Sequence, residues 1–213
     1  MNTNRKNMKK IRISLIAIVI LLGYTAVHAQ SKELQMNINY SLGFPMGSFK
    51  DVIQKNSYRG WQGSILYGIN DKISVGLGSG FQDFYQKNER QVYKSSDGSD
   101  ISAVLTHSIQ TIPILLQGKY NFSPQAAIQP YAALGVGGNM VMYRELLGEF
   151  GGTKTSFGFA ARPEAGVFIP LSKSRETGLN LGASFNYMPF NKNNIASLNS
   201  IGVSAGIKFP LRK

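Results

Sequence analysis

In "THSIQ" a histidine, His107, stands beside a hydroxyl, Ser108. A base and a nucleophile in reach of each other are the parts of an acyl-transfer site. Adjacent strand residues point to opposite faces, however, so the two converge only across a bulge. The pair is therefore read as a polar loop edge. Arg162 and Glu164 in "FAARPEAGVF" are two apart and share a face, opposite Phe159, Ala161, Ala165 and Val167. That face carries either a charged constriction that selects solutes or a polar network that fills an interior. In "SSDGSD", Asp97 and Asp100 supply oxygen donors of the kind calcium takes, although a solvated loop tip has the same composition. "GLGSG" at Gly76 and "GVGG" at Gly135 lack the strand-to-helix setting of a phosphate loop. No catalytic, cofactor-binding or metal site is assigned.

The elements that position these residues are strands. In "GSILYGINDKISVGLGSG", Ile65, Tyr67 and Ile69 alternate with small or polar residues, as do Ile73, Val75 and Leu77 beyond Asn70-Asp71. Period-two alternation is the mark of a strand with two chemically different sides. Asn-Asp tolerates positive φ, so a tight reversal is expected between the arms. The pattern recurs eight times, over 34–43, 58–69, 72–86, 105–120, 129–143, 156–169, 177–188 and 200–209. Pro113 and Pro163 fall inside these runs and remove ladder donors, so bulges are expected there.

Charge and address narrow the setting. Arg5, Lys6, Lys9, Lys10 and Arg12 precede an apolar run from Ile13 to Gly23, and Val27-His28-Ala29 offers small residues for cleavage before Gln30. Residues 1–29 thus read as a secretory signal peptide and 30–213 as one barrel domain. The run falls short of the ~20 apolar residues of a spanning helix. Five of the 23 Lys and Arg lie in that leader, leaving 18 against 11 Asp and Glu and a net charge of +7 rather than +12. No basic cluster denser than Lys173-Ser174-Arg175 remains and aromatics do not interleave with it, which argues against a nucleic-acid partner. With no cysteine, disulfides play no part in stability.

Direction follows from where the charges are. The connections alternate long and short: 44–57, 87–104, 144–155 and 189–199 against 70–71, 121–128 and 170–176. That is the asymmetry of an outer-membrane barrel, with longer external loops and short periplasmic turns. A soluble barrel loads its polar faces with charge, but here those faces are Gly, Ser, Asn and Gln, which suit the cramped interior of eight strands. The apolar row is therefore expected to face lipid, through Ile65, Val75, Leu77, Val167, Leu181 and Val203. Inside, Arg162, Glu164, Lys208, Lys119, Gln62 and Gln82 are expected to form a polar network. Tyr40, Tyr67, Tyr85, Tyr131, Tyr143 and Tyr187, with Phe185, lie near strand ends and are expected to form an aromatic girdle. The fold class is all-β: an eight-stranded antiparallel up-and-down transmembrane β-barrel behind a cleaved signal peptide.

Laid out in this way, "SIQTIPILLQGKYNF" in the fourth strand, "QPYAALGVGGN" in the fifth and "SIGVSAGIKF" in the eighth resemble the porin-family outer-membrane β-barrel domain. That is the small eight-stranded group of OmpA-like and OmpX-like barrels, and the resemblance covers the mature chain. It implies a non-enzymatic envelope component of a Gram-negative-type bacterium, without cofactors. Its surroundings would be outer-membrane lipid and lipopolysaccharide, and the barrel-assembly machinery would insert it. Segments 44–57 and 87–104 would face outward in a structural or binding role, toward a partner the sequence does not name. Relatives commonly end on the last strand's aromatic, whereas Phe209 is followed here by Pro210-Leu211-Arg212-Lys213. No peptidoglycan-binding domain follows, so only the membrane half of an OmpA-like protein is implied. Two other functions fit the same strands: a narrow channel for small solutes, and a soluble periplasmic ligand-binding barrel with the faces reversed.

Overall fold

A computed structural model describes residues 33–94, 100–148, 150–172, 174–192 and 195–211. The leader and Asp97 of "SSDGSD" lie outside them. Eight strands close into a barrel, every neighbouring pair antiparallel: β1 (Leu34–Pro45), β2 (Gly60–Gly68), β3 (Ile73–Lys94), β4 (Asp100–Asn121), β5 (Gln129–Leu147), β6 (Phe150–Pro170), β7 (Gly178–Asn186) and β10 (Ser200–Pro210). Closure is between β1 and β10, in register from Gln35↔Pro210 to Pro45↔Ser200. A short helix, α1 (Ser48–Val52), and a small hairpin, β8 (Pro189–Lys192) with β9 (Ile195–Ser197), occupy the two longest connections.

Period two sets the faces. Val75, Leu77, Leu181 and Val203 are exposed on the outside, while Asn37, Asn39, Asn180 and Ser204 are buried inside. On β4, Ile114 and Leu116 face out, whereas Ile109, Leu115 and Lys119 face in.

The strands differ in length. β1, β2, β7 and β10 have 9 to 12 residues, close to the ~9–11 that cross a bilayer. β3 and β4 have 22 each, β5 has 19 and β6 has 21. Segments 87–104 and 144–155, expected as loops, are therefore mostly strand. β2 stops pairing with β3 at Gly60↔Gln82, and β6 meets β7 only from Glu164↔Ser184, with a bridge at Ala161↔Tyr187. Beyond those rows β3 to β6 pair among themselves and rise past the rim as a four-stranded wall.

The base of this wall is apolar on its inner side and needs a cover. α1 places Phe49 there and Ile53 follows one turn later; the β8–β9 end supplies Ile195 and Leu198. They bury against Phe84, Ile109, Val141, Ala160 and Met188, with Phe49 and Phe84 edge to face at 4.7 Å. Met46 N–H donates to the Asn199 carbonyl (2.9 Å) and Ser197 N–H to Ser48 Oγ (3.2 Å), so the two covers are tied together. Gly47 enters α1 at φ 57°, a conformation glycine adopts without penalty.

Two local expectations are corrected. The β2–β3 reversal does not use positive φ at Asn70 or Asp71, since the non-glycine residue with positive φ among the described residues is Arg175. Instead the Asn70 side chain accepts from the N–H groups of Lys72 (2.9 Å) and Ile73 (2.7 Å), an Asx-type turn. Nor do the prolines make bulges. At Pro113 the β3–β4 ladder lapses between Ser79↔Ile114 and Gln82↔Thr111 with its register unchanged. At Pro163 the β6–β7 ladder lapses in the same way between Ala161↔Tyr187 and Glu164↔Ser184. A missing donor costs a rung and leaves the register intact. The shift on β3 is at Lys87/Arg90, outside the closed barrel.

Candidate functional site

The lumen is built from inward positions on all eight strands, and its polar groups fall into two clusters. In the first, Arg162 donates from Nε to Asn186 Oδ1 (2.7 Å) and from Nη1 to Gln62 Oε1 (3.0 Å), and Gln62 Nε2 donates to Ser41 Oγ (3.0 Å). In the second, Tyr131 donates to Glu164 Oε1 (2.7 Å) and Asn180 Nδ2 donates to the same Tyr131 hydroxyl (3.0 Å). Lys119 Nζ lies 3.6 Å from the centre of the Tyr131 ring, and Lys208 Nζ lies 3.7 Å from that of Phe168. Buried cations thus rest on aromatic faces.

Arg162 and Glu164 share the inner face without pairing to each other. Among the described residues the ion pair within 4.0 Å is Arg59 with Asp83, at 3.6 Å on the outer rim. The fold brings Arg162 to Gln62, and brings Glu164 to Lys119 by way of Tyr131. Gln82 lines the same small cavity as Arg162 and Gln62 and donates to Ser57 Oγ (2.6 Å), while Lys208 lies toward the short-turn end. Gly182 makes room for the second cluster: a methyl group there would lie 2.8 Å from the Tyr131 hydroxyl and 3.2 Å from Glu164 Oε1.

Little space is left. A cavity of about 20 Å³ lies among Asn37, Asn39, Gln117, Lys119 and Glu164, and another of about 10 Å³ beside Arg162. Each is the size of about one water. Toward the outer end the Phe49 and Ile53 plug closes the path.

On the outside, Ile65, Leu77, Leu181 and Val203 are exposed with Tyr40, Tyr67, Tyr85 and Tyr187; Val75 is exposed beside them and Val167 is half-buried on the same face. Tyr131 and Tyr143, expected in a girdle, are instead buried inside. The reason is parity: Tyr131 shares its face with Gln129 and Ala133, and Tyr143 with Val141, while Pro130 and Met142 alternate with them on the other side. His107 and Ser108 diverge, His107 Nδ1 lying 3.2 Å from the Tyr143 hydroxyl and Ser108 Oγ donating to Asp83 Oδ1 (3.2 Å). They do not form a base–nucleophile pair.

Sequence reasoning missed the plug and the wall. "GSFKDVI" carried the plug's signal, because Phe49 and Ile53 are four apart and share a helical face. The wall's outer edge at β6 is the other feature. Ala161 exchanges both backbone bonds with Tyr187 (2.9 and 2.8 Å), so by alternation Thr153, Thr155 and Phe157 also aim their backbone groups away from β5. Among the described residues no strand pairs with them there.

The family model described as outer membrane protein beta-barrel domain matches residues 15–209. Among solved structures, Neisserial surface protein A is similar at a TM-score of 0.52 and 14% identity, over 83% of this chain and 94% of that one. OprG from Pseudomonas aeruginosa gives 0.48 and 14%, over 87% and 98%. Outer membrane protein W of E. coli gives 0.44 and 14%, over 87% and 100%. These are likenesses of fold. No curated protein matches the sequence.

Proposed function

We propose that this chain, which belongs to the outer membrane protein beta-barrel domain family, is a non-enzymatic envelope protein that displays the β3–β6 wall outside the cell for pairing with an external strand. Its place is the outer membrane of a Gram-negative-type bacterium. Lipid and lipopolysaccharide surround the outward rows through Ile65, Val75, Leu77, Val167, Leu181 and Val203, flanked by Tyr40, Tyr67, Tyr85 and Tyr187. The barrel-assembly machinery inserts it after removal of residues 1–29. Closure of β1 on β10 leaves the ring without an open strand edge facing lipid.

The observation that carries this reading is the backbone of Thr153, Thr155 and Phe157, aimed outward from the β6 edge and held past the rim by the pairing of β6 with β5. Exposed backbone donors and acceptors on a sheet edge are a template for β-augmentation. The filled, plugged lumen supports a scaffold rather than a solute path. The divergence of His107 from Ser108 supports a role without catalysis.

The chain has no cysteine, which makes a direct test simple. In intact cells, Thr155→Cys should react with a membrane-impermeant maleimide and Asp71→Cys should not. A photo-crosslinking residue at position 155 should then capture an external protein. Labelling only at position 71, or no adduct from position 155 in cells where the barrel is folded, would count against the reading.

A further inference from the structure

We propose that a groove on the outer rim, between segment 54–59 and β3, binds the phosphate-bearing headgroup of a lipopolysaccharide molecule through Lys55 and Arg59. The inference rests on the outer-membrane reading above and adds a site and a ligand class to it.

Position comes first. Arg59 lies two residues before Trp61 and Asp83 two residues after Phe81, while Trp61 and Phe81 are register partners on the outer face. The groove therefore sits directly above the exposed Trp61 and the half-buried Phe81, where acyl chains give way to headgroups. Tyr58 and Tyr85, both exposed, flank it as interfacial aromatics. Its volume is about 450 Å³, in the ~300–1,000 Å³ range of small-molecule sites.

The groove is held in shape. Gly43 and Ser57 exchange backbone bonds of 2.8 Å each, and Asp83 N–H donates to the Arg59 carbonyl (3.0 Å). Gln54 N–H donates to Gln86 Oε1 (2.6 Å), and the Tyr40 hydroxyl donates to the Tyr58 carbonyl.

Charge then selects the ligand. Asp83 is only 12% exposed and is already engaged by Ser108 and Arg59, whereas the Arg59 side chain is 73% exposed. Its guanidinium is steadied from one side and open on the other. Lys55 adds a second exposed cation. A guanidinium fork with an ammonium lining the same groove matches a phosphate monoester. A free phosphate has no acyl chain to lie along Trp61 and Phe81, so the lipid is the source.

The test is retention of purified diphosphoryl lipid A by the full mature chain, reconstituted with phosphatidylcholine, extracted in mild detergent and read by native mass spectrometry. The wild type should keep lipid A in preference to phosphatidylcholine and to dephosphorylated lipid A. The variant Lys55→Gln/Arg59→Gln should keep about three- to tenfold less, the loss of two exposed charged contacts, with its unheated gel mobility unchanged. Asp83→Asn should keep more, because Arg59 loses its internal counter-charge. If the double variant will not fold, Lys55→Gln alone, in an exposed segment, should still lose part of the preference. Equal retention by wild type and variants, or of phosphorylated and dephosphorylated lipid A, would overturn the site. Displacement of lipid A by inorganic phosphate would overturn the lipid source. A wild type that neither inserts nor shows heat-dependent mobility would sink the membrane reading instead.

Discussion

Leu77→Arg separates a lipid-facing row from a water-facing one. Leu77 is 63% exposed on the outer face and lies between its register partners Ile65 and Leu116. It is four residues along β3 from Ile73, which begins the strand at the short-turn end. Four residues at ~3.3 Å each make ~13 Å of strand, or ~10 Å of height at a tilt of ~40° in an apolar band ~25 Å tall. Leu77 is therefore near mid-depth. There an arginine costs about 2–4 kcal/mol, against about 0–1 near the interfaces; some snorkelling toward the nearer interface puts the expectation at about 2–3 kcal/mol. In water the same change at so exposed a position would stay within about 0.5 kcal/mol. Denaturant unfolding in phosphatidylcholine vesicles reads the difference, using the fluorescence of Trp61, the single tryptophan, itself exposed on the outer face. An unchanged unfolding free energy at unchanged slope would refute the placement of β3 in lipid.

Three further outcomes follow from the inside and the rim. Phe49→Ala empties a fully buried plug position and should cost the cover about 3–5 kcal/mol. Protease cleavage within 46–59 should accelerate while the unheated barrel keeps its gel mobility; uniform loss of mobility would mean that the plug holds the barrel itself. Gly182→Ala should push apart Tyr131 and Glu164 and cost about 1–3 kcal/mol. In a double-mutant cycle with Tyr131→Phe the two costs should be less than additive, and strict additivity would dismiss Gly182 as a spacer for that bond. Thr155→Pro should leave unfolding unchanged and abolish edge capture, whereas Lys154→Pro, which faces Tyr143 of β5, should destabilise the wall. Equal effects from the two prolines would refute the assignment of which residues face the edge.

The barrel was legible in the sequence because lipid on one side and a crowded axis on the other enforce strict alternation. Val75, Leu77, Leu181 and Val203 could be placed by parity alone. Parity was also available for Tyr131, flanked by Pro130 and Ala132 and in phase with Gln129 and Ala133; closeness to a strand end was the weaker guide. The wall was illegible for a physical reason. At Lys87–Arg90 and Gly151–Lys154 the strands no longer contrast lipid with lumen, so charge and glycine there read as loop. For the network, sequence gave the shared face of Arg162 and Glu164. It could not give their partners, which come from β2, β5 and β7 and depend on register around the ring.

The two edges of the wall are treated differently, and the difference bears on function. An exposed sheet edge invites unwanted pairing, and proteins usually blunt it with charge, bulges or a covering segment. The β3 edge has all three: Asp83 N–H is taken by the Arg59 carbonyl, the register shifts at Lys87/Arg90, and Lys87, Glu89 and Arg90 follow in sequence. The β6 edge has Thr153, Thr155 and Phe157, with Phe157 82% exposed. Stability does not require this asymmetry, since the apolar inner face is already covered by Phe49, Ile53, Ile195 and Leu198. A chain that protects one edge by three devices, yet leaves the other with Lys154 as its one charge between Thr153 and Phe157 and no strand pairing there among the described residues, is better suited to receive a strand on that side than to avoid one.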